Sequence, residues 1–109
     1  MHPVRVSIFI NEGDSWHGTA LHLQLLKALE RNGIAGATVV RGVAGYTRSG
    51  GIATTSLVDV GHKLPLVLEF IDDQEHVERV LPELETMVGD RLITTSDIAV
   101  RHGGAFKAN

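Results

Sequence analysis

The chain opens on a strict alternation. Val4, Val6, Ile8 and Ile10 fall on one side of an extended segment and Arg5, Ser7 and Phe9 on the other, the two-residue period of a strand with one buried face. A polar, glycine-containing stretch from Asn11 to Gly18 breaks that period and predicts a loop. From about Thr19 to Asn32 the spacing lengthens, and Leu21, Leu25, Ala28 and Leu29 form one stripe of a helix, with Thr19 as N-cap and Asn32-Gly33 as the stop. Gly36 to Val43 is β-branched and reads as a second strand. Ala44 to Thr55 (AGYTRSGGIATT) is rich in Gly, Ser and Thr, and predicts a mobile loop over 45–55. Leu64 to Ile71 (LPLVLEFI) is a third strand, with a short paired segment at Ser56 to Val60 before it. Asp72-Asp73 is placed as the cap of a second helix running to about Val88, with Val77, Val80, Leu81, Leu84, Met87 and Val88 as its core stripe. Pro82 inside that stripe lacks a backbone donor and predicts a kink or a restart. The last strand is placed at Asp97 to Arg101, after a loop or short extended piece from Leu92, and 102–109 forms a tail.

The order is β-α-β-β-α-β in a single α+β domain spanning 1–109. Two split β-α-β units of this kind give a ferredoxin-like fold, a four-stranded antiparallel sheet with both helices on one face. The other face should then alternate into polar residues. It does not: Val67 and Ile71 flank Glu69 there, joined by Phe9 and Val40. Burying such a face against other copies is the expected remedy. The competing arrangement, a tail folded over the patch, has little beyond Phe106 to offer.

Composition narrows the function. Hydrophobic residues make 43% and charged ones 21% of the 109 residues, an ordinary globular balance. A net charge of −3 argues against general nucleic-acid binding. The chain has no cysteine, which removes disulfides, zinc–thiolate sites and thiol nucleophiles and suits a reducing compartment. No apolar run is long enough for membrane insertion and the first residues do not read as a signal peptide, so the expected location is the cytoplasm.

Three clusters carry candidate chemistry. Glu12, Asp14, Trp16 and His17 lie within six positions. Glu12, Asp14 and His17 are a possible divalent-metal set, while the structural alternative has Asp14 capping a turn, Trp16 fixing the loop to the core and His17 bonding backbone. Gly89, Asp90 and Arg91 follow the second helix and offer backbone N–H groups and a guanidinium to an anion, or simply make a turn. Gly45, Tyr46, Arg48, Gly50 and Gly51 give the long loop hinges and anchors for a partner protein. The six histidines show no H-x-x-x-H pair, and no nucleophile–base spacing is recognisable, so an enzyme is the least supported class.

Three segments resemble a known family. IFINEGDSWHG at 8–18, GATVVRGVAGY at 36–46, and LPLVLEFID followed by LPELETMVGDRLIT are similar to the PII-like proteins of the domain-of-unknown-function family number 190. The resemblance implies a homotrimer closed through its sheets, effector clefts between subunits that hold adenine nucleotides in PII proteins, and a loop, here about 45–55, that acts on a partner such as a transporter. On that basis Arg41, Gly42 and Arg101, the last followed by His102-Gly103-Gly104, join Gly89, Asp90 and Arg91 as effector-binding candidates. The related CutA trimers keep a divalent-metal alternative open. Two departures stand out: the TGxxGDGKI phosphate loop of PII proteins is reduced here to VGDRLI at 88–93, and Tyr46 lies at the loop's base rather than its tip.

Overall fold

The computed structural model describes residues 1–48, 51–56 and 63–102. Its principal sheet contains β1 (Pro3–Asn11), β4 (Ala37–Arg41), β7 (Pro65–Asp73) and β8 (Leu92–Asp97), in the order β4-β7-β1-β8 with every pair antiparallel. Helices α1 (Leu21–Arg31) and α2 (Gln74–Val88) connect them, and two small hairpins complete the fold: β2 (Ser15–Trp16) with β3 (Thr19–Ala20), and β5 (Ala44–Gly45) with β6 (Ala53–Thr54). The β1 alternation works as expected. Val6, Ile8 and Ile10 are fully buried and join Leu66, Leu68, Phe70 and the stripes of both helices in one core. This is the ferredoxin-like arrangement.

The helix boundaries show how backbone and loop compete. Thr19 is not the cap of α1, because it pairs with Trp16 in the first hairpin. The helix starts after Ala20 without a side-chain cap, and the Leu21 amide donates instead to the backbone carbonyl of Asp14 at 2.8 Å. Its C-terminus closes as a Schellman motif: Ile34 N–H donates to Leu29 O and Gly33 N–H to Glu30 O, with Ile34 buried. Asp73 does occupy the N-cap position of α2, but its carboxylate accepts the His2 amide at 2.7 Å rather than a helix amide. The helix does not restart at Pro82; it runs through, and the carbonyl left without a donor belongs to Glu78, an exposed residue, so the missing bond falls on the solvent side of the helix.

One sequence expectation is displaced, and another lies mostly outside the described residues. The last strand is Leu92–Asp97, not Asp97 to Arg101. It is an edge strand of Thr and Ser in which only Ile93 packs on the core, so hydrophobic alternation does not mark it. The segment paired across the long loop is Ala53–Thr54, which meets Ala44–Gly45. Ser56 lies in a turn, and residues 57–60 of the expected strand fall outside the described residues. So do Gly50, Gly103, Gly104 and Phe106.

Register defines the outer face. Val40, Val67, Phe9 and Leu92 align as one row across all four strands, with Val40 57% and Leu92 58% exposed. The next row, Thr38, Glu69, Ser7 and Thr94, is polar. The apolar patch is therefore a band at one end of the sheet. Ile71 lies two rows away, beside a groove that Val100 and His102 also line, so residues after β8 return across that end of the sheet. Among the described residues no helix is long and apolar enough to cross a membrane.

Candidate functional site

A cleft of about 930 Å³ opens where the apolar band meets the C-terminus of α2 and the second hairpin. Its apolar floor is Phe9, Val67 and Leu92, and Tyr46, Arg48 and Arg91 stand around it. Gly89, Asp90 and Asp14 line it as well. The fold thus gathers members of all three sequence clusters, from positions as far apart as 14, 48 and 91.

Asp14 and Arg91 form the junction. The Asp14 carboxylate is mostly buried, and its Oδ2 accepts from Arg91 Nε at 2.9 Å and from the Asn11 amide at 2.8 Å. Arg91 Nη1 donates to the Val88 carbonyl at 3.0 Å, so the guanidinium also caps the last turn of α2. Gly89 makes the sharp exit from that helix at φ 63°, ψ −126°, a region essentially restricted to glycine. Gly89→Ala should therefore destabilise the protein by about 1–3 kcal/mol although a Cβ there would meet open space. Chemical denaturation measures it, and a loss below a few tenths of a kcal/mol contradicts the backbone assignment.

The rest of the Asn11 to Gly18 segment is architectural. His17 and Gly18, at φ 51° and 79°, form a two-residue type I′ turn between β2 and β3. Trp16 packs against the core and stacks on the His17 ring, centroids 4.3 Å apart. Glu12 ties three strand ends together: its carboxylate accepts from Arg41 Nε at 2.9 Å and from the Leu64 amide at 2.8 Å. Gly42 continues the seam by donating its amide to Pro65 O, and both Gly42 and Gly45 pack against the Pro65 ring. The side chain of Asn11 donates to Thr47 at the base of the second hairpin.

Several expected site residues consequently lie elsewhere. Arg41 and Gly42 serve the Glu12 seam outside the cleft lining, and Arg101 sits exposed beyond the far end of β8. Gly51 is exposed. Glu12, Asp14 and His17 are not gathered into a metal-ligand group: each carboxylate engages an arginine, and His17 stands on an exposed turn. Leu92, Glu85 and the Val88 carbonyl were missed. The run LITT directly after GDR held the only cue, its β-branched content.

Glu12 also sets a pH response. The Arg41 hydrogen bond, with the Leu64 amide, holds its carboxyl below the ordinary 4.5. A depressed carboxylate contributes stability above its unfolded-state value, and that contribution disappears as pH falls through the folded-state value. Glu12→Gln should cost about 1 kcal/mol at pH 7, with the gap to the native chain closing at acid pH below 4.5. Urea unfolding at both pH values tests this; a gap independent of pH refutes the charge-based seam.

Solved structures of the same shape define the class. The fold superimposes on CPII of Thiomonas intermedia, a nitrogen regulatory PII-like protein solved with ADP, AMP and bicarbonate, at TM-score 0.71 and 15% identity over 98% of this chain and 96% of that one. CPII with ADP and bicarbonate gives 0.69 at 18%, with the same coverage of both chains. A putative PII-like signalling protein of Thermus thermophilus gives 0.51 at 18%, over 88% of this chain and 85% of that one. The protein has the PII-like ferredoxin fold. Within that class it belongs to the DUF190 family ("Uncharacterized ACR, COG1993"), whose profile matches residues 3–100. Its relatives include UPF0166 proteins of Methanocaldococcus jannaschii, 34% identical over 103 residues covering 94% of each chain, and of Aquifex aeolicus, 36% identical over 93 residues covering 85% of this chain and 88% of that one.

Proposed function

We propose that this protein is a cytoplasmic regulator that assembles as a homotrimer, binds an adenine nucleotide in the cleft beside Arg91, and acts through the 45–55 hairpin on a partner protein such as a transporter. One observation carries the reading: the apolar band that calls for other copies is also the floor of the cleft, whose rim bears Tyr46 and Arg48 of the hairpin. Assembly, ligand and output element meet at one place.

The residues present suit such a ligand. Phe9, Val67, Leu92 and Tyr46 offer apolar and aromatic surface for a purine, and Arg48 and Arg91 offer guanidinium groups for phosphate. A ligand alters partner affinity only through different affinities for two hairpin states. That difference would arise at Tyr46 and Arg48, next to the Asn11–Thr47 contact. The structures of CPII with ADP and AMP support this ligand class.

Isothermal titration with AMP, cyclic AMP, ADP and ATP is the test. Saturable heat with at least one of them, accompanied by a rise in melting temperature, supports the reading. No heat and no thermal shift with any of the four removes it.

A further inference from the structure

The phosphate-facing end of the cleft has little capacity for anionic charge. Gly89 N–H donates to Glu85 O at 3.1 Å and Arg91 N–H to Val88 O at 3.2 Å, so of the turn's three amides only that of Asp90 is uncommitted among the described residues. The Arg91 guanidinium spends Nε on Asp14 and one Nη1 hydrogen on Val88 O, leaving the Nη2 pair and the second Nη1 hydrogen along its outer edge. Three carboxylates, Asp14, Glu85 and Asp90, line the cleft against two guanidinium groups, Arg48 and Arg91. The C-terminal, negative end of the α2 dipole also closes this side.

We infer that Asp14 is a positioning residue that restricts this cleft to a ligand carrying a single phosphate, a nucleoside monophosphate or a cyclic nucleotide, and that it discriminates against triphosphates. Asp14 acts through Arg91: by neutralising the guanidinium and engaging Nε, it leaves only the Nη edge to face a phosphate group. Each further phosphate adds negative charge beside Glu85, Asp90 and the helix end, in a lining whose three carboxylates already outnumber its two guanidinium groups. The inference rests on the reading of the cleft as an adenine-nucleotide site.

The native protein is titrated with AMP, cyclic AMP, ADP and ATP, with and without magnesium, and the series is repeated with Asp14→Asn. Asparagine keeps an acceptor for the Asn11 amide and removes the charge that holds Arg91. The expected native result is AMP or cyclic AMP binding at least about tenfold more tightly than ATP under both conditions. Asp14→Asn should narrow that ratio severalfold by strengthening ADP and ATP, since the freed guanidinium gains phosphate contacts. Native ATP binding as tight as AMP overturns the inference and leaves the nucleotide-sensor reading standing. Loss of affinity by the same factor for all four ligands in Asp14→Asn shows a merely structural Asp14 and overturns its selective role. Absence of binding by every nucleotide removes the underlying reading and this inference together. The native series needs no variant, so the phosphate limit is testable even if Asp14→Asn folds poorly.

Discussion

Replacing Val40 and Leu92 together with glutamate should convert the proposed assembly, three times the 11.8 kDa chain mass, into a folded single chain. Both side chains are more than half exposed in the protomer, so the variant loses no core packing and its circular dichroism should match the native spectrum. In the assembly the situation reverses. Fully burying an aliphatic side chain is worth about 1.5–3 kcal/mol, and an unpaired carboxylate placed there brings an effective desolvation cost of several kcal/mol. Because the row crosses all four strands and its two ends carry the changes, each copy presents two charges to any sheet packed against it. Light scattering after size exclusion reads the result directly. A native protein that elutes at one chain mass at micromolar concentration, or a double variant that stays assembled, refutes closure through this face.

Arg91→Ala should have the second-largest effect, on stability and ligand binding at once. The substitution strips Asp14 and the Val88 carbonyl of their guanidinium partner. Leaving a mostly buried carboxylate without its counter-charge costs about 1–3 kcal/mol. Nucleotide affinity should fall about tenfold to a hundredfold, because one charge-assisted bond disappears and Asp14 becomes an unbalanced negative charge beside the phosphate. The sign is opposite to that expected for ADP and ATP with Asp14→Asn, so the two variants separate an electrostatic role from a general loss of fold. Calorimetry and urea unfolding on the same preparations supply both numbers. An Arg91→Ala protein that binds nucleotide as the native chain does places the ligand away from this turn.

Where a residue's role followed from periodicity, the sequence was enough. The stripes of β1, β7 and both helices carry the buried face, and every one of those positions packs where alternation or helical spacing puts it. The failures have one physical character. Thr19 looks like a helix cap but is claimed by a two-residue hairpin whose turn depends on His17 adopting positive φ, an uncommon choice for a non-glycine residue. β8 has little apolar content because it is an edge strand, so its position depends on pairing with β1 rather than on burial. The site was legible in part. Gly89, Asp90, Arg91, Tyr46 and Arg48 do meet, whereas Arg41 and Glu12 are spent on each other, and spacing along a chain cannot say which arginine finds which carboxylate.

The Trp16–His17 stack has a practical consequence. This chain contains a single indole, and it stands on the hairpin that begins just after the carboxylate holding Arg91. Its emission comes from one known place, uncontaminated by other tryptophans. A ligand that moves the Asp14 clasp should alter the stacked ring's surroundings two residues further on, so native fluorescence is the expected readout for occupancy of the proposed site without any attached dye.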